Sequence, residues 1–172
     1  QQVVDLVYPV YQQRGYRPQI VGGISYAQRY NDGDTFTVGA EYFYNGLGYG
    51  SSDPYLGLVL PHSTALREPA RPFYLGRHYA ALFVSLPAPF SLDLHGFTLS
   101  TLGNLSDRSF ITRFDYSFTI LTHLGLEAFA AVRYGRPTGE FRLGLEPTTV
   151  GEFSFRQAPA LVDLGIALRP EI

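Results

Sequence analysis

Ser109-Phe110-Ile111-Thr112-Arg113-Phe114-Asp115-Tyr116-Ser117-Phe118-Thr119-Ile120-Leu121 is the stretch whose reading decides the fold. Phe110, Thr112, Phe114, Tyr116, Phe118 and Ile120 recur every second residue, with Ile111, Arg113, Asp115, Ser117 and Thr119 between them. A period of two is the spacing of a strand whose two faces meet different surroundings. Phe110, Phe114 and Phe118 also recur at helical i, i+4 spacing, but Phe, Tyr, Thr and Ile favour a pleated surface, so a strand is expected.

Working outward, the alternation repeats. Leu126, Ala128, Ala130, Val132 and Tyr134 oppose Glu127, Phe129, Ala131 and Arg133. Phe36, Val38, Ala40, Tyr42 and Tyr44 oppose Thr35, Thr37, Gly39, Glu41 and Phe43, and Val162, Leu164, Ile166 and Leu168 oppose Asp163, Gly165, Ala167 and Arg169. Strands are expected at 3–11, 18–30, 35–45, 77–87, 92–102, 108–121, 125–135, 140–146, 150–157 and 160–169. That gives ten, or eight if 140–157 is partly loop. Turn residues cluster at Asn31–Asp34, Pro87–Pro89, Thr122–Gly125 and Glu146–Thr149. These short turns fall on one side, and connections 12–17, 46–76, 103–107 and 136–139 fall on the other. In the first hairpin an odd, three-residue loop sets Tyr30 opposite Phe36, Gln28 opposite Val38 and Tyr26 opposite Ala40. A two-residue turn would slip the register by one and reverse every facing.

Composition narrows the class. The 172 residues hold 18 Gly, 12 Pro, 13 Tyr and 13 Phe, and no Lys, Met, Trp or Cys. Dispersed Gly and Pro disfavour a helical bundle, and the lack of Cys excludes disulfides, thiolate metal sites and a Cys nucleophile. Charged residues make up 16%, against roughly 25% in ordinary soluble domains. A net charge of −2 gives no electrostatic reason to bind nucleic acid. No apolar run is long enough for a transmembrane helix. Without a Met, Gln1 is expected to follow a removed or longer N-terminal part.

The charges sort by face. One face carries Arg29, Glu41, Arg113, Asp115, Glu127, Arg133, Arg142, Asp163 and Arg169 among small and hydroxyl residues, while the other is Phe, Tyr, Leu, Val, Ile and Ala. A soluble barrel would instead place dense charge on its outer surface, and the alternative is a soluble β-sandwich with one apolar face per sheet. An apolar exterior around a mixed-charge interior is the arrangement expected of an all-β, up-and-down antiparallel transmembrane β-barrel, eight to ten strands in this chain, as a single domain over 1–172. Tyr8, Tyr26, Tyr30, Tyr44 and Tyr134, near strand ends, suit an interfacial girdle.

In this pattern the chain resembles the outer-membrane β-barrel class of Gram-negative bacteria, porin-like proteins included. Gly39-Ala40-Glu41-Tyr42-Phe43-Tyr44-Asn45-Gly46 and Val162-Asp163-Leu164-Gly165-Ile166-Ala167-Leu168-Arg169 are similar to strands of that class. The resemblance covers nearly the whole chain and implies an integral outer-membrane location, outer-membrane lipid as partner and both chain ends on the periplasmic side. The class commonly ends on an aromatic residue, whereas this sequence ends Arg169-Pro170-Glu171-Ile172. The chain is therefore expected to be a complete narrow barrel or the C-terminal part of a larger one.

The expected function is a porin-like channel or transport wall. The nine charged residues would line the lumen, and the arginines would bias passage toward anionic or zwitterionic solutes. Arg133 is expected opposite Arg113, with Asp115 beside it. The alternative is a closed barrel whose acids and arginines pair across strands, acting as an anchor or subunit of an envelope complex. A soluble ligand-binding barrel and an outer-membrane hydrolase rank behind both.

The connection 46–76 has its own apolar run, Tyr55-Leu56-Gly57-Leu58-Val59-Leu60, and a helical pattern over 63–68 that includes Arg67 and Glu68. It is expected to constrict the lumen, dock on another protein or pack on the barrel rim. Catalysis is not expected: His62 and Ser63 are adjacent rather than a nucleophile–base pair, His123 lies in a turn, and His95 with Asp93 is the remaining acid–His combination, facing the lumen. No histidine spacing suits a metal and no phosphate loop is present, so no cofactor is expected.

Overall fold

A computed structural model describes residues 15–30, 33–55, 74–90, 92–121, 124–142, 146–148, 152–154 and 161–170. In chain order the strands are β1 (Gln19–Arg29), β2 (Thr35–Asn45), β3 (His78–Pro87), β4 (His95–Asn104), β5 (Ser109–Leu121), β6 (Leu124–Gly135), β7 (Glu146–Thr148), β8 (Glu152–Ser154) and β9 (Val162–Pro170). The protein is all-β. Seven strands form one sheet in the order β1-β2-β3-β4-β5-β6-β9, antiparallel and up-and-down throughout.

The deciding stretch is β5, the longest strand at 13 residues, with a register irregularity between Thr119 and Leu121. Its alternation carries through the sheet because each register keeps like facings together. Tyr26 faces Val38, Ala40 faces Leu82, Leu99 faces Phe114, and Ala130 faces both Phe114 and Leu164.

Three sequence expectations need correction. Tyr30 N donates to Asp34 O at 3.2 Å, so the hairpin pairs Gln28 with Phe36 and Arg29 with Thr35. The odd loop and the facings stand, but the register is two residues tighter than expected. Strand β4 begins at His95 rather than 92. The ten-strand count does not hold, and the alternative that leaves 140–157 partly as loop does: among the described residues β7 and β8 pair only with each other, and β6 pairs directly with β9. The expected strand at 3–11 and the helix at 63–68 lie outside the described residues.

Connections divide between the two ends of the sheet. The connections 30–34, 88–94 and 122–123 join strand ends at one end of the sheet, here the turn end; 46–77, 105–108 and 136–161 join strand ends at the other, the loop end. The Glu146–Thr149 segment, expected among the short turns, thus belongs to a loop-end connection. The outer strands β1 and β9 both run from loop end to turn end, a parity with consequences for closure.

Among the described residues, strands touch only their neighbours in the sheet, so no second layer covers either face. Side-chain burial is correspondingly sparse and concentrated at the loop end: Asn45, Ser52, Tyr55, Leu75, Tyr79, Asn104, Asp107 and Ser109 are buried there. Aromatics instead cover glycines across the pleat, Phe83 over Gly39 and Phe129 over Gly165, each at 2.2 Å or less from where a Cβ would stand.

The β4–β5 hairpin is tightened by Arg108, at φ 60°, and by Gly135 on the adjoining strand, at φ 101°. A Cβ on Gly135 would lie 2.1 Å from the Arg108 carbonyl oxygen. Gly135→Ala is therefore expected to lower stability by about 1–3 kcal/mol. Gly22→Ala, where a Cβ meets nothing within 4 Å, should change it by less than about 0.5 kcal/mol. Equilibrium denaturant unfolding of the two variants checks this contrast.

Candidate functional site

The registers place Arg29, Glu41, Arg113, Asp115, Glu127, Arg133, Asp163 and Arg169 on one face of the sheet. Arg142 is not among them. It follows β6 in the loop-end connection, where its guanidinium donates to Gly135 O at 2.7 Å. The remaining four arginines and four acids balance on the charged face.

Arg133 stands opposite Ile111, and Arg113 stands between Ser100 and Ala131. The two arginines are thus not paired, and each has its own acid. Arg113 Nε donates to both carboxylate oxygens of Asp115, at 2.8 and 2.9 Å, and its guanidinium lies 4.2 Å from the Phe129 ring centroid. Arg133 meets Asp163 at 2.6 Å and Arg169 meets Glu127 at 3.0 Å, both diagonally between β6 and β9. All three pairs are partly exposed, so each contributes at most about 1 kcal/mol. The pairs cluster on β5, β6 and β9. The β1–β4 half of the same face carries chiefly Ser, Thr, Gly and Ala, with Arg29 and Glu41.

The loop end of the charged face is closed over by a polar knot that sequence reading did not anticipate. Asn104 ends β4 on this face. Its Nδ2 lies 3.1 Å from Tyr55 Oη, 3.3 Å from Tyr79 Oη, 2.8 Å from Asp107 Oδ2 and 2.9 Å from Glu140 Oε2, so one amide's protons are shared among four oxygens. The Tyr79 hydroxyl donates to Glu140 and accepts from Gly76 N at 2.6 Å. Asp107 also accepts from Glu140 N at 2.8 Å, from Ser109 N at 2.8 Å and from Ser109 Oγ at 2.6 Å. Segments 46–55, 74–77, 105–108 and 136–142 are thereby tied together. Asn104-Leu105-Ser106-Asp107 was the one local signal: Asn104 Oδ1 accepts from Ser106 N at 3.0 Å, the side-chain mimic of a turn.

Tyr55 is the described part of the loop motif. It is fully buried in this knot rather than standing clear of the sheet. Leu56, Leu58, Val59, Leu60, Arg67 and Glu68 lie outside the described residues, as do His62, Ser63 and His123.

The opposite face carries no Asp, Glu or Arg on any strand of the sheet. Its middle is aliphatic, with Ile24, Leu82, Leu99, Leu164 and Ile166 exposed. Aromatics gather toward its ends: Tyr42, Tyr44 and stacked Phe110 and Tyr134 at the loop end, Phe97, Tyr116 and Phe118 toward the turn end. Tyr26, Tyr44 and Tyr134 lie on this face as expected; Tyr30 follows β1, and Tyr8 lies outside the described residues. His95 is on this face too, hydrogen-bonded through Nδ1 to Tyr116 Oη at 2.7 Å, which overturns its expected place on the charged face with Asp93.

No protein-family model, curated protein or solved structure matches this chain.

Two outcomes follow for the knot. Asn104→Leu keeps volume but removes the donor shared by two carboxylates and two phenols. It should cost about 2–4 kcal/mol in unfolding free energy and hasten proteolytic cleavage within 47–54. Burial, reinforced by the Asp107 and Glu140 carboxylates and opposed by the hydrogen bond from Asn104, raises the Tyr55 pKa well above the usual phenol value. A folded-state pKa above the unfolded one means stability that is complete below the unfolded pKa, about 10, and lost as pH rises above it. Stability should fall above pH ~10, and Tyr55→Phe should flatten that alkaline limb in unfolding measured from pH 8 to 11.

Proposed function

We propose that this chain is the wall of an integral outer-membrane β-barrel, with its charged face lining an aqueous interior and its apolar face in lipid. The observation that carries the reading is the separation of charge across a single-layer sheet. Seven strands present no Asp, Glu or Arg on one face and a balanced set on the other. In water such an apolar face would need a covering layer. In lipid it needs none.

Strands of 9–13 residues also suit the roughly 9–11 residues that a tilted strand uses to cross a bilayer. Lipid does not satisfy a free strand edge, so the wall must close. Because β1 and β9 run the same way, antiparallel closure takes an odd number of further strands. With four arginines against four acids on the face, and Arg113, Arg133 and Arg169 each against an acid, the interior is close to neutral. The reading is therefore a porin-like, non-catalytic passage for small polar solutes with weak charge preference, in place of the anion bias expected from the arginines alone.

A second reading, a closed barrel serving as an anchor or envelope-complex subunit, is favoured by the knot drawn across the loop end of the charged face. Purified protein refolded in detergent should show a heat-dependent shift in gel mobility. A protein monodisperse in plain buffer would sink both readings. In planar bilayers the channel reading expects discrete conductance steps that grow when residues 50–72 are deleted. Silence of both proteins would leave the closed barrel.

A further inference from the structure

His78 and His95 are the only residues with ionisable nitrogen on the described apolar face, and they occupy its two ends. Each makes the same arrangement. His78 Nδ1 is hydrogen-bonded to Tyr42 Oη at 2.6 Å, with the Tyr44 ring 5.4 Å from its centroid. His95 Nδ1 is hydrogen-bonded to Tyr116 Oη at 2.7 Å, with Phe118 stacked at 4.6 Å.

The separation of the two pairs is informative. Ala88 N donates to His95 O, so His95 is level with Ala88, ten residues beyond His78 along the β3 direction. At about 3.3 Å per residue that is about 33 Å of strand. Tilted by about 40°, it spans about 25 Å along the membrane normal, the height of the apolar band of outer-membrane barrels. The two pairs therefore sit where the hydrocarbon ends on either side.

Resting on the membrane reading above, we propose that Tyr42–His78 and Tyr116–His95 are lipid-headgroup sites, one at each boundary, each donating a hydrogen bond to the phosphate of a bound phospholipid. When the phenol donates to Nδ1, the imidazole proton resides on Nε2, the far side of the ring. Among the described residues neither Nε2 has a protein partner, and the face around it supplies apolar and aromatic side chains rather than acceptors. At the headgroup level the abundant anionic acceptor is phosphate. The flanking Tyr44 and Phe118 rings hold each imidazole in orientation, and the phenols fix its tautomer.

The test uses the whole protein refolded into phosphatidylcholine vesicles, with histidine as the only ¹⁵N label. Solid-state ¹⁵N–³¹P dipolar recoupling should show dephasing of protonated Nε2 signals. His78→Phe and His95→Phe should each remove one of those contributions. Absence of dephasing, or dephasing unchanged in both variants, would overturn the proposal. Insertion is read separately. The native chain has no Trp, so Leu82→Trp, in the middle of the apolar face, reports depth through quenching by lipids brominated near the chain ends. Strong quenching without ¹⁵N–³¹P dephasing refutes the headgroup sites alone; no quenching refutes the membrane reading and the sites with it.

Discussion

The structure rests on the two-residue period of an extended chain, held in phase across six strand pairings. Each antiparallel register keeps alternate positions on one face, the even-numbered ones of β1–β3, β5, β6 and β9 together with the odd-numbered ones of β4, from Ile20 in β1 to Leu168 in β9. A slip of one residue in any pairing would carry charges such as Arg113 and Glu127 to the apolar side. Phase is therefore the quantity that the turns must protect. The odd hairpin closed by Tyr30 and Asp34 and the four-residue turn 105–108 do so through specific backbone and side-chain hydrogen bonds.

This explains what could be read from the residues and what could not. Facing follows from parity, a local property, so eight of the nine charged positions fall on the face that alternation assigned them. Register is less legible. A shift of two residues leaves every facing unchanged, and periodicity cannot distinguish Gln28 opposite Phe36 from Gln28 opposite Val38. Short alternations mislead for a related reason: Phe141, Leu143 and Leu145 offer three apolar positions, too few to separate a wall strand from a connection. His95 was misassigned because its strand begins there and not at Leu92, so Asp93 falls in the turn rather than beside it.

The polar knot lay outside the reach of pattern altogether. Tyr55, Tyr79, Asn104, Asp107 and Glu140 are brought together from four separate segments, and nothing in the spacing of any one announces the others. Its logic appears only in three dimensions. Two carboxylates are placed beside two phenols, an amide and backbone N–H groups, and Arg142 Nε is the only buried side-chain N or O without a hydrogen-bond partner among the described residues. Such a network holds four segments in one arrangement because releasing any member leaves charged or polar groups buried without partners. Among the described residues no second layer covers the sheet, and these segments are held by the hydrogen bonds together with ring contacts such as Tyr74 on Phe43 and Tyr79, and Tyr49 on Tyr55.

The distribution of ion pairs bears on what a lined interior could discriminate. Arg113–Asp115, Arg133–Asp163 and Arg169–Glu127 all fall on β5, β6 and β9, beside a β1–β4 half that is mainly hydroxyl and small. A paired arginine acts at a distance as a dipole, whose field falls faster than that of a charge. Physiological salt screens even single charges over about 8 Å. In the proposed interior a solute would meet ion pairs along β5, β6 and β9 and chiefly hydroxyl and small side chains, with Arg29 and Glu41, along β1–β4, with little net field. Selection there would come from size and hydrogen bonding, and most directly from the connections that the knot holds across the loop end.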